Sequence, residues 1–496
     1  MSLKSDGFFT NEFHSYSLKK KATQGGLITV GSQTLIFVFN LLSTAILARL
    51  ITPDDFGLIG MILVIINFLA VFKDAGLAQA TIQRKIINQL EISNLFWVNS
   101  LIASILAFII FLFAPLIASF YGREELVQIT RVLAGLIVIQ GLFIQHKSLL
   151  SRKMEFANLA KVEIGSVFCG MVVAVFLALN GFSYWTLVGQ MTTIVVCNFI
   201  GYLFFCQWVP SLPDLKISIR PYLKYGGNLA GFNFLNFFSR NADNVMIGYF
   251  LGATPLGLYS KAYSLLMLPL NQINFPITKV MLPVLSQLQD DPMAYRDYYL
   301  KAINLAISVT FPLVGLFYVC SENIILIILG EQWLAAISVF QALVPAAFVS
   351  ALNITTGWVF QSLGTTDRQL RWTLFAAPLH IVFMLIGLNW GIVGVAWGIS
   401  LSFCLIRIPY LAYTYKGTSL KLYDTLKIVF KNLFSVILGI VFTFIISSFL
   451  ITQNIFFSLF TSLFMYLSLI FIIDFYFLKR TGISKSVLEL KNYFFK

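Results

Sequence analysis

Charge is what this chain of 496 residues lacks: Asp, Glu, Lys and Arg together make up only 11% of it. A soluble domain carries about 25%, so the surface of a water-soluble enzyme cannot be built from this composition. Histidine is scarce, with three residues far apart, which argues against a metal centre. The five cysteines (Cys169, Cys197, Cys206, Cys320, Cys404) form no CxxC pair and have no histidine partner, and are expected to be buried small hydrophobes. No phosphate-binding loop is present, so ATP hydrolysis by this polypeptide is not expected. No cleavable signal pattern is visible: residues 1–24 are polar, end in Lys19-Lys20-Lys21 and lead into a span too long for a signal peptide.

What is present is apolar: 58% of residues are hydrophobic and 16% aromatic, with 49 Phe. Disorder needs the opposite balance. The fold class is an all-α polytopic membrane protein. A helix crosses the hydrocarbon core with about 20 apolar residues, and fourteen such segments fall between residues 27 and 477. Turn chemistry breaks them apart, as at Thr52-Pro53-Asp54-Asp55, Tyr121-Gly122-Arg123 and Asp290-Asp291-Pro292.

The net charge of +13 does not require a nucleic acid. With the N-terminus in the cytoplasm, the inner segments and the span ends beside them hold 27 of the 34 Lys and Arg, whereas the outer loops hold only Arg49 and Arg123. That asymmetry places both termini in the cytoplasm. The outer loops are short, the longest spanning Ser321 to Gln332, so the work must be done within the membrane.

The two halves repeat at an offset near 200. Leu50 to Leu58 reads LITPDDFGL and Phe250 to Leu258 reads FLGATPLGL, so Gly57 falls on Gly257, and Gly31 falls on Gly231. The expected organisation is a cytoplasmic tail (1–24), an N-lobe of six helices (25–208), a C-lobe of six (209–415), a helix pair (416–480) and a C-terminal tail (481–496). Parallel repeats of this kind usually enclose their substrate between the halves and alternate access.

Charges inside spans are costly and tend to face a bundle interior or a wet cavity. Asn233, Asn236, Arg240, Asp243 and Asn244 recur at helical spacing in span seven. Shifted by 200, that stripe answers Gln33, Asn40, Ser43 and Thr44 in span one. The two stripes read either as walls of a central cavity or as polar glue between helices. Lys73-Asp74 in span two is a second buried-charge candidate, lumen-facing or a structural ion pair. Arg49, Arg131, Lys261 and Arg407 are placed where long side chains snorkel to the interface. Glu163, beside Lys161, reads as a surface residue. The surplus of Lys73, Arg240, Arg49 and Arg131 over Asp74 and Asp243 favours an anionic substrate. Pro269 and Pro276 in span eight, and Gly76 in span two, suggest bent helices, as hinges or as static shape.

Several ordered stretches resemble bacterial polysaccharide exporters: ARLITPDDFGLIGM (Ala48 to Met61), DAGLAQATIQ (Asp74 to Gln83) and LSRKMEFANLAKVE (Leu150 to Glu163). ADNVMIGYFLGATPLGLYS (Ala242 to Ser260), PITKVMLPVLS (Pro276 to Ser286) and GIVGVAWG (Gly391 to Gly398) continue the match. The resemblance covers nearly the whole chain and points to the polysaccharide transporter branch of the MOP exporter superfamily. It implies fourteen helices in two lobes around a central cavity. It also implies a flippase, not an enzyme, in the bacterial cytoplasmic membrane, turning over an oligosaccharide carried on undecaprenyl pyrophosphate. No cofactor is implied beyond an ion gradient, for which Asp74 and Asp243 are the candidate coupling acids. Membrane lipids, a polysaccharide polymerase and glycosyltransferases are the implied partners. Two other readings stay open: a drug or cation antiporter of the sister MATE branch, and a membrane-embedded polysaccharide polymerase or ligase, although the short outer loops contain no His.

Overall fold

The structure is a computed structural model that describes residues 15–74, 81–82, 87–214, 241–447 and 455–473. Helices occupy nearly all of these, and no strand occurs among the described residues. The chain divides into two compact units, Met1–Gly257 and Leu258–Lys496. The expected lobe boundary at 208/209 falls inside the first unit, in the segment that follows its sixth helix.

In the first unit the helices are α1 (Ser15–Leu50), α2 (Pro53–Asp74), α3 (Gln89–Tyr121), α4 (Glu125–Arg152), α5 (Phe156–Leu179) and α6 (Trp185–Cys206). A further helix, α7, covers 241–250. Local chemistry sets the starts. At α2, Thr52 and Asp55 close a reciprocal cap: Thr52 N donates to Asp55 Oδ2 at 2.9 Å, and Asp55 N donates to Thr52 Oγ1 at 3.3 Å. Pro53 fits the first helical position, where its missing N–H has no partner to lose. At α3, Asn88 and Glu91 make the same exchange, at 2.7 and 3.0 Å. Gly122, in the left-handed region at φ 67°, ends α3.

The side-chain distribution is that of a membrane helix. Leu101, Ile105, Phe108, Leu112 and Leu116 form an exposed stripe along α3, while Asn99, Ala103, Ala107, Ala114 and Ala118 are buried. Large groups face outward and small ones face neighbouring helices, because lipid solvates Leu as well as a protein core does and close backbone approach is what holds helices together. Gly141 of α4 sits against Ala103 and the carbonyl of Asn99, and Gly170 of α5 sits against Ile194 of α6. An apolar cluster of Ile92, Leu95, Phe96, Leu149, Leu150 and Tyr202 closes one end.

In the second unit, with its start at Ala253 in the first, α8 (Ala253–Gln287) runs unbroken through Pro269, Pro276 and Pro283. It is followed by α9 (Pro292–Val319), the short α10 (Ser321–Ile328), α11 (Ala335–Ser362), α12 (Thr366–Gly387), α13 (Gly391–Tyr415), α14 (Leu422–Ser447) and α15 (Ile455–Ile472). Asp291 caps α9 by accepting from Met293 N and Ala294 N at 3.1 and 3.0 Å. The core gathers Tyr299, Ile303, Phe311, Trp358, Leu411 and Tyr466. Here the GIVGVAWG stretch finds its reason. A Cβ at Gly394 would strike the carbonyl of Gly387, and one at Gly398 the carbonyl of Phe383, so α13 lies backbone to backbone against α12.

Nine segments among the described residues are long and apolar enough to cross a membrane, the longest, Thr366–Tyr415, containing both α12 and α13. The protein is a multi-pass membrane protein. All five cysteines are free. The expectation that they are buried holds for Cys206 and Cys320 but not for Cys169 and Cys404, which are exposed on apolar helix surfaces where lipid tolerates a small thiol as readily as a core does.

Candidate functional site

The polar stripe of span seven is only partly within view. Asn233, Asn236 and Arg240 lie outside the described residues, whereas Asp243 and Asn244 stand in α7. Asp243 is 8% exposed and its Oδ1 accepts the backbone N–H of Asn244 at 2.8 Å. The side-chain oxygen of Asn244 is buried with no hydrogen-bond partner. A buried amide oxygen left unpaired is costly, and it marks α7 as polar beyond what its own packing satisfies.

In α1, Gln33 and Asn40 are exposed and one face apart by two turns. Ser43 is buried and accepts from Gln190 Nε2 of α6 at 2.8 Å. Gln33 and Asn40 therefore lie open, while Ser43 acts as interhelical glue. Arg49, in the last turn of α1, is exposed at the helix end where the dipole favours a cation. Lys73 and Asp74 fall in the last turn of α2, and their side chains lie outside the described residues. Arg131 is exposed with its guanidinium 5.0 Å from the centre of the Phe111 ring. Glu163 pairs with Lys147 at 2.9 Å and accepts from the Tyr202 hydroxyl at 3.2 Å.

A second polar centre was not legible as a unit in the sequence. Asp54, in the first turn of α2, accepts from Arg123 Nη1 and Nη2 at 3.2 and 2.8 Å and from Thr254 Oγ1 at 2.8 Å. Arg123 also reaches Glu125 at 3.2 Å. Asp55 accepts from Ser183. One four-residue turn thus ties together the loops after α3 and α5 and the first turn of α8. The Arg123 hydrogen bond holds the Asp54 carboxyl below its ordinary value, and the same bond raises the Arg123 guanidinium further above its own. The turn chemistry pointed to a loop; the offset of 200 between Asp54 and Thr254 was the available hint that these two residues meet.

The segment after α6 is strapped along α3. Trp208 is buried, donates through Nε1 to Gln89 Oε1 at 2.6 Å, and offers its carbonyl to His146 Nε2 at 3.2 Å. Asn94 Nδ2 donates to the carbonyl of Asp214 at 2.7 Å, and Asp214 N returns a bond to Asn94 Oδ1 at 2.9 Å.

One expectation is overturned in the second unit. Arg407 does not snorkel: it is 8% exposed, and its Nε and Nη1 are buried without a hydrogen-bond partner. It shares the inward face of α13 with Tyr410 and Thr414, three and seven residues on, a spacing that the sequence does contain.

Comparison with known proteins agrees with this architecture. WzxC, a lipopolysaccharide biosynthesis protein of Escherichia coli (strain K12), is 27% identical over 399 residues, covering 79% of this chain and 80% of that one. ExoT, a succinoglycan biosynthesis transport protein of Rhizobium meliloti (strain 1021), is 27% identical over 309 residues, 62% of each. Among solved structures, the lipid II flippase MurJ in an inward closed conformation superposes with a TM-score of 0.74 at 15% identity, covering 92% of this chain and 99% of that one. An inward-facing MATE multidrug resistance transporter of the MOP superfamily gives 0.59 at 16% identity, covering 79% and 96%. The fold is like that of the MurJ flippase and of the MATE transporter, and ExoT is by its name a transport protein. Residues 46–338, more than half of the chain, match the model described as polysaccharide biosynthesis protein, and the chain belongs to that family.

Proposed function

We propose that this protein is a flippase that moves an oligosaccharide repeat unit linked to undecaprenyl pyrophosphate across the cytoplasmic membrane, for assembly of a cell-surface polysaccharide. The observation that carries the reading is the agreement, over nearly the whole chain, with the fold of a lipid II flippase in a chain whose family is polysaccharide biosynthesis. The physical requirements match. A sugar-pyrophosphate headgroup is polar and anionic, and Arg and Lys are the side chains that pair with phosphate. Arg240, Arg49 and Lys73 are the cationic candidates for that contact. Asn233, Asn236, Asn244, Asn40 and Gln33 are the neutral ones, of which Asn40 and Gln33 lie open on α1.

In this reading both termini face the cytoplasm, where Lys and Arg concentrate. Two pseudo-equivalent lobes alternate access to the headgroup while the prenyl tail stays in lipid. An ion gradient drives the cycle, with Asp74 and Asp243 as the coupling acids and no cofactor. A polysaccharide polymerase and glycosyltransferases act on either side of the step. The test is reconstitution in liposomes with a labelled lipid-linked oligosaccharide. Headgroup translocation above that of empty liposomes, and its reduction by Arg240→Ala in a variant that folds, is expected. Translocation equal to empty liposomes removes the reading.

A further inference from the structure

Arg407 of α13 is a buried cation that forms no ion pair with a carboxylate among the described residues. Its Nε and Nη1 lack any hydrogen-bond partner. Among the described residues of that unit, the carboxylates that form ion pairs are held by other arginines: Asp424 by Arg296 at 2.6 Å, and Asp367 by Arg371 at 3.6 Å. The groups around Arg407 are neutral and already occupied. Its guanidinium lies 5.4 Å from the centre of the Tyr410 ring, which is stacked on Trp372. The Tyr299 and Tyr415 hydroxyls, which lie close enough to act on Arg407, bond each other at 3.0 Å, and Tyr415 also bonds Thr425 at 2.9 Å. His380, likewise near, shares a bond of 2.8 Å with Ser402. Among these occupied groups the guanidinium's Nε and Nη1 stay unpartnered.

A lone buried charge is expensive, and an apolar residue of similar volume would be tolerated at least as well. The chain nevertheless places here a rigid, permanently charged fork whose geometry matches two oxygens of a phosphoryl group. We propose that Arg407 is an oxyanion-binding residue of the second unit, taking the pyrophosphate of the lipid-linked substrate, with Tyr299, Tyr410 and Tyr415 as its aromatic and hydroxyl surround. This rests on the flippase reading for the identity of the anion; the oxyanion chemistry itself rests on the two unpartnered guanidinium nitrogens.

The experiment uses the full-length protein in detergent, titrated with farnesyl pyrophosphate, inorganic pyrophosphate and farnesol, for the native chain, Arg407→Met and Arg407→Gln. The native chain is expected to bind farnesyl pyrophosphate and not farnesol. Arg407→Met is expected to melt no lower than the native chain without ligand, while binding roughly 10- to 100-fold more weakly, the loss of a charge-assisted hydrogen bond. Arg407→Gln gives the same comparison if the methionine variant does not fold. Native affinity in a folded variant overturns the proposal. Arg407-dependent binding of inorganic pyrophosphate at the same strength supports the oxyanion site and assigns it to free phosphate instead of the lipid headgroup. Translocation in liposomes separates the two ideas. A native chain that translocates, with Arg407→Met equal to it in both assays, removes only the role of Arg407. A native chain that does not translocate but binds pyrophosphate through Arg407 removes the flippase reading and leaves the site.

Discussion

Gly57 and Gly257, one repeat apart in sequence, pack into each other's turns: a Cβ on Gly57 would strike the carbonyl of Ala253, and a Cβ on Gly257 the carbonyl of Pro53. The contact is reciprocal, because Pro53 and Ala253 are themselves equivalent at the offset of 200. The first turn of α2 and the first turn of α8 therefore cross with their backbones touching. Only glycine permits this, since the obstacle on each side is a carbonyl that cannot move without breaking its helix.

Gly57→Ala and Gly257→Ala are each expected to destabilise the protein by about 1–3 kcal/mol, the usual cost of forcing a methyl group into a packed contact. Gly31→Ala, whose Cβ would meet nothing within 4 Å, is the control and is expected to melt as the native chain does. Thermal unfolding in detergent measures all three. Equal melting temperatures for Gly57→Ala and Gly31→Ala would contradict the crossing.

The Asp54–Arg123 pair carries a pH dependence whose sign follows from the depressed Asp54 carboxyl. A carboxylate with a lowered folded-state value contributes its full stabilisation above its ordinary value of 3.8 and loses it as pH falls through the lower folded value. The pair is partly exposed, so the contribution is about 0.2–1 kcal/mol. Native protein and Asp54→Asn should thus differ in melting temperature by a constant amount from neutral pH down to about 4, and converge below it. A gap that widens on acidification would show the opposite linkage.

Trp208 anchors the segment after α6 through both its ring and its indole N–H. Trp208→Phe removes the bond to Gln89 and is expected to cost about 1–3 kcal/mol. Trp208→Ala also removes the packing on Phe96 and His146, for a total of about 3–5 kcal/mol. Limited proteolysis between residues 207 and 214 should accelerate in the same order. Equal cleavage of all three proteins would mean the strap is held elsewhere.

Asp243 is buried in α7 beside the unpaired Asn244 oxygen. If it is a coupling acid, Asp243→Asn should leave substrate binding within a few-fold of native while removing the dependence of translocation on an imposed ion gradient. Transport rates with and without the gradient, in the same liposomes, test this. An unchanged gradient response assigns Asp243 to structure.

The motifs that carry the family resemblance coincide with places where backbones meet. ITPDDFG contains the capped turn that binds Arg123 and Thr254, and it contains Gly57; GATPLG contains Gly257; GIVGVAWG contains Gly394 and Gly398. Composition and turn chemistry made the membrane class and the presence of long apolar helices legible, because they depend on local hydropathy and on residues at fixed short spacing. Thr52 and Asp291, named as turn residues, cap the helices that follow them, and Asn88 caps α3 without having been singled out.

Sequence by itself determined that these segments are helices with apolar exteriors and that charged side chains stand among them. Tertiary structure decided where each of those charges goes. Arg123, in a turn between helices, meets Asp54 across sixty-nine residues, whereas Arg407, inside α13, meets no acid among the described residues. Hydropathy measures only the cost of a charge in lipid. Whether a carboxylate lies within hydrogen-bond reach is a property of helix packing, and packing is set by contacts between positions far apart in the chain.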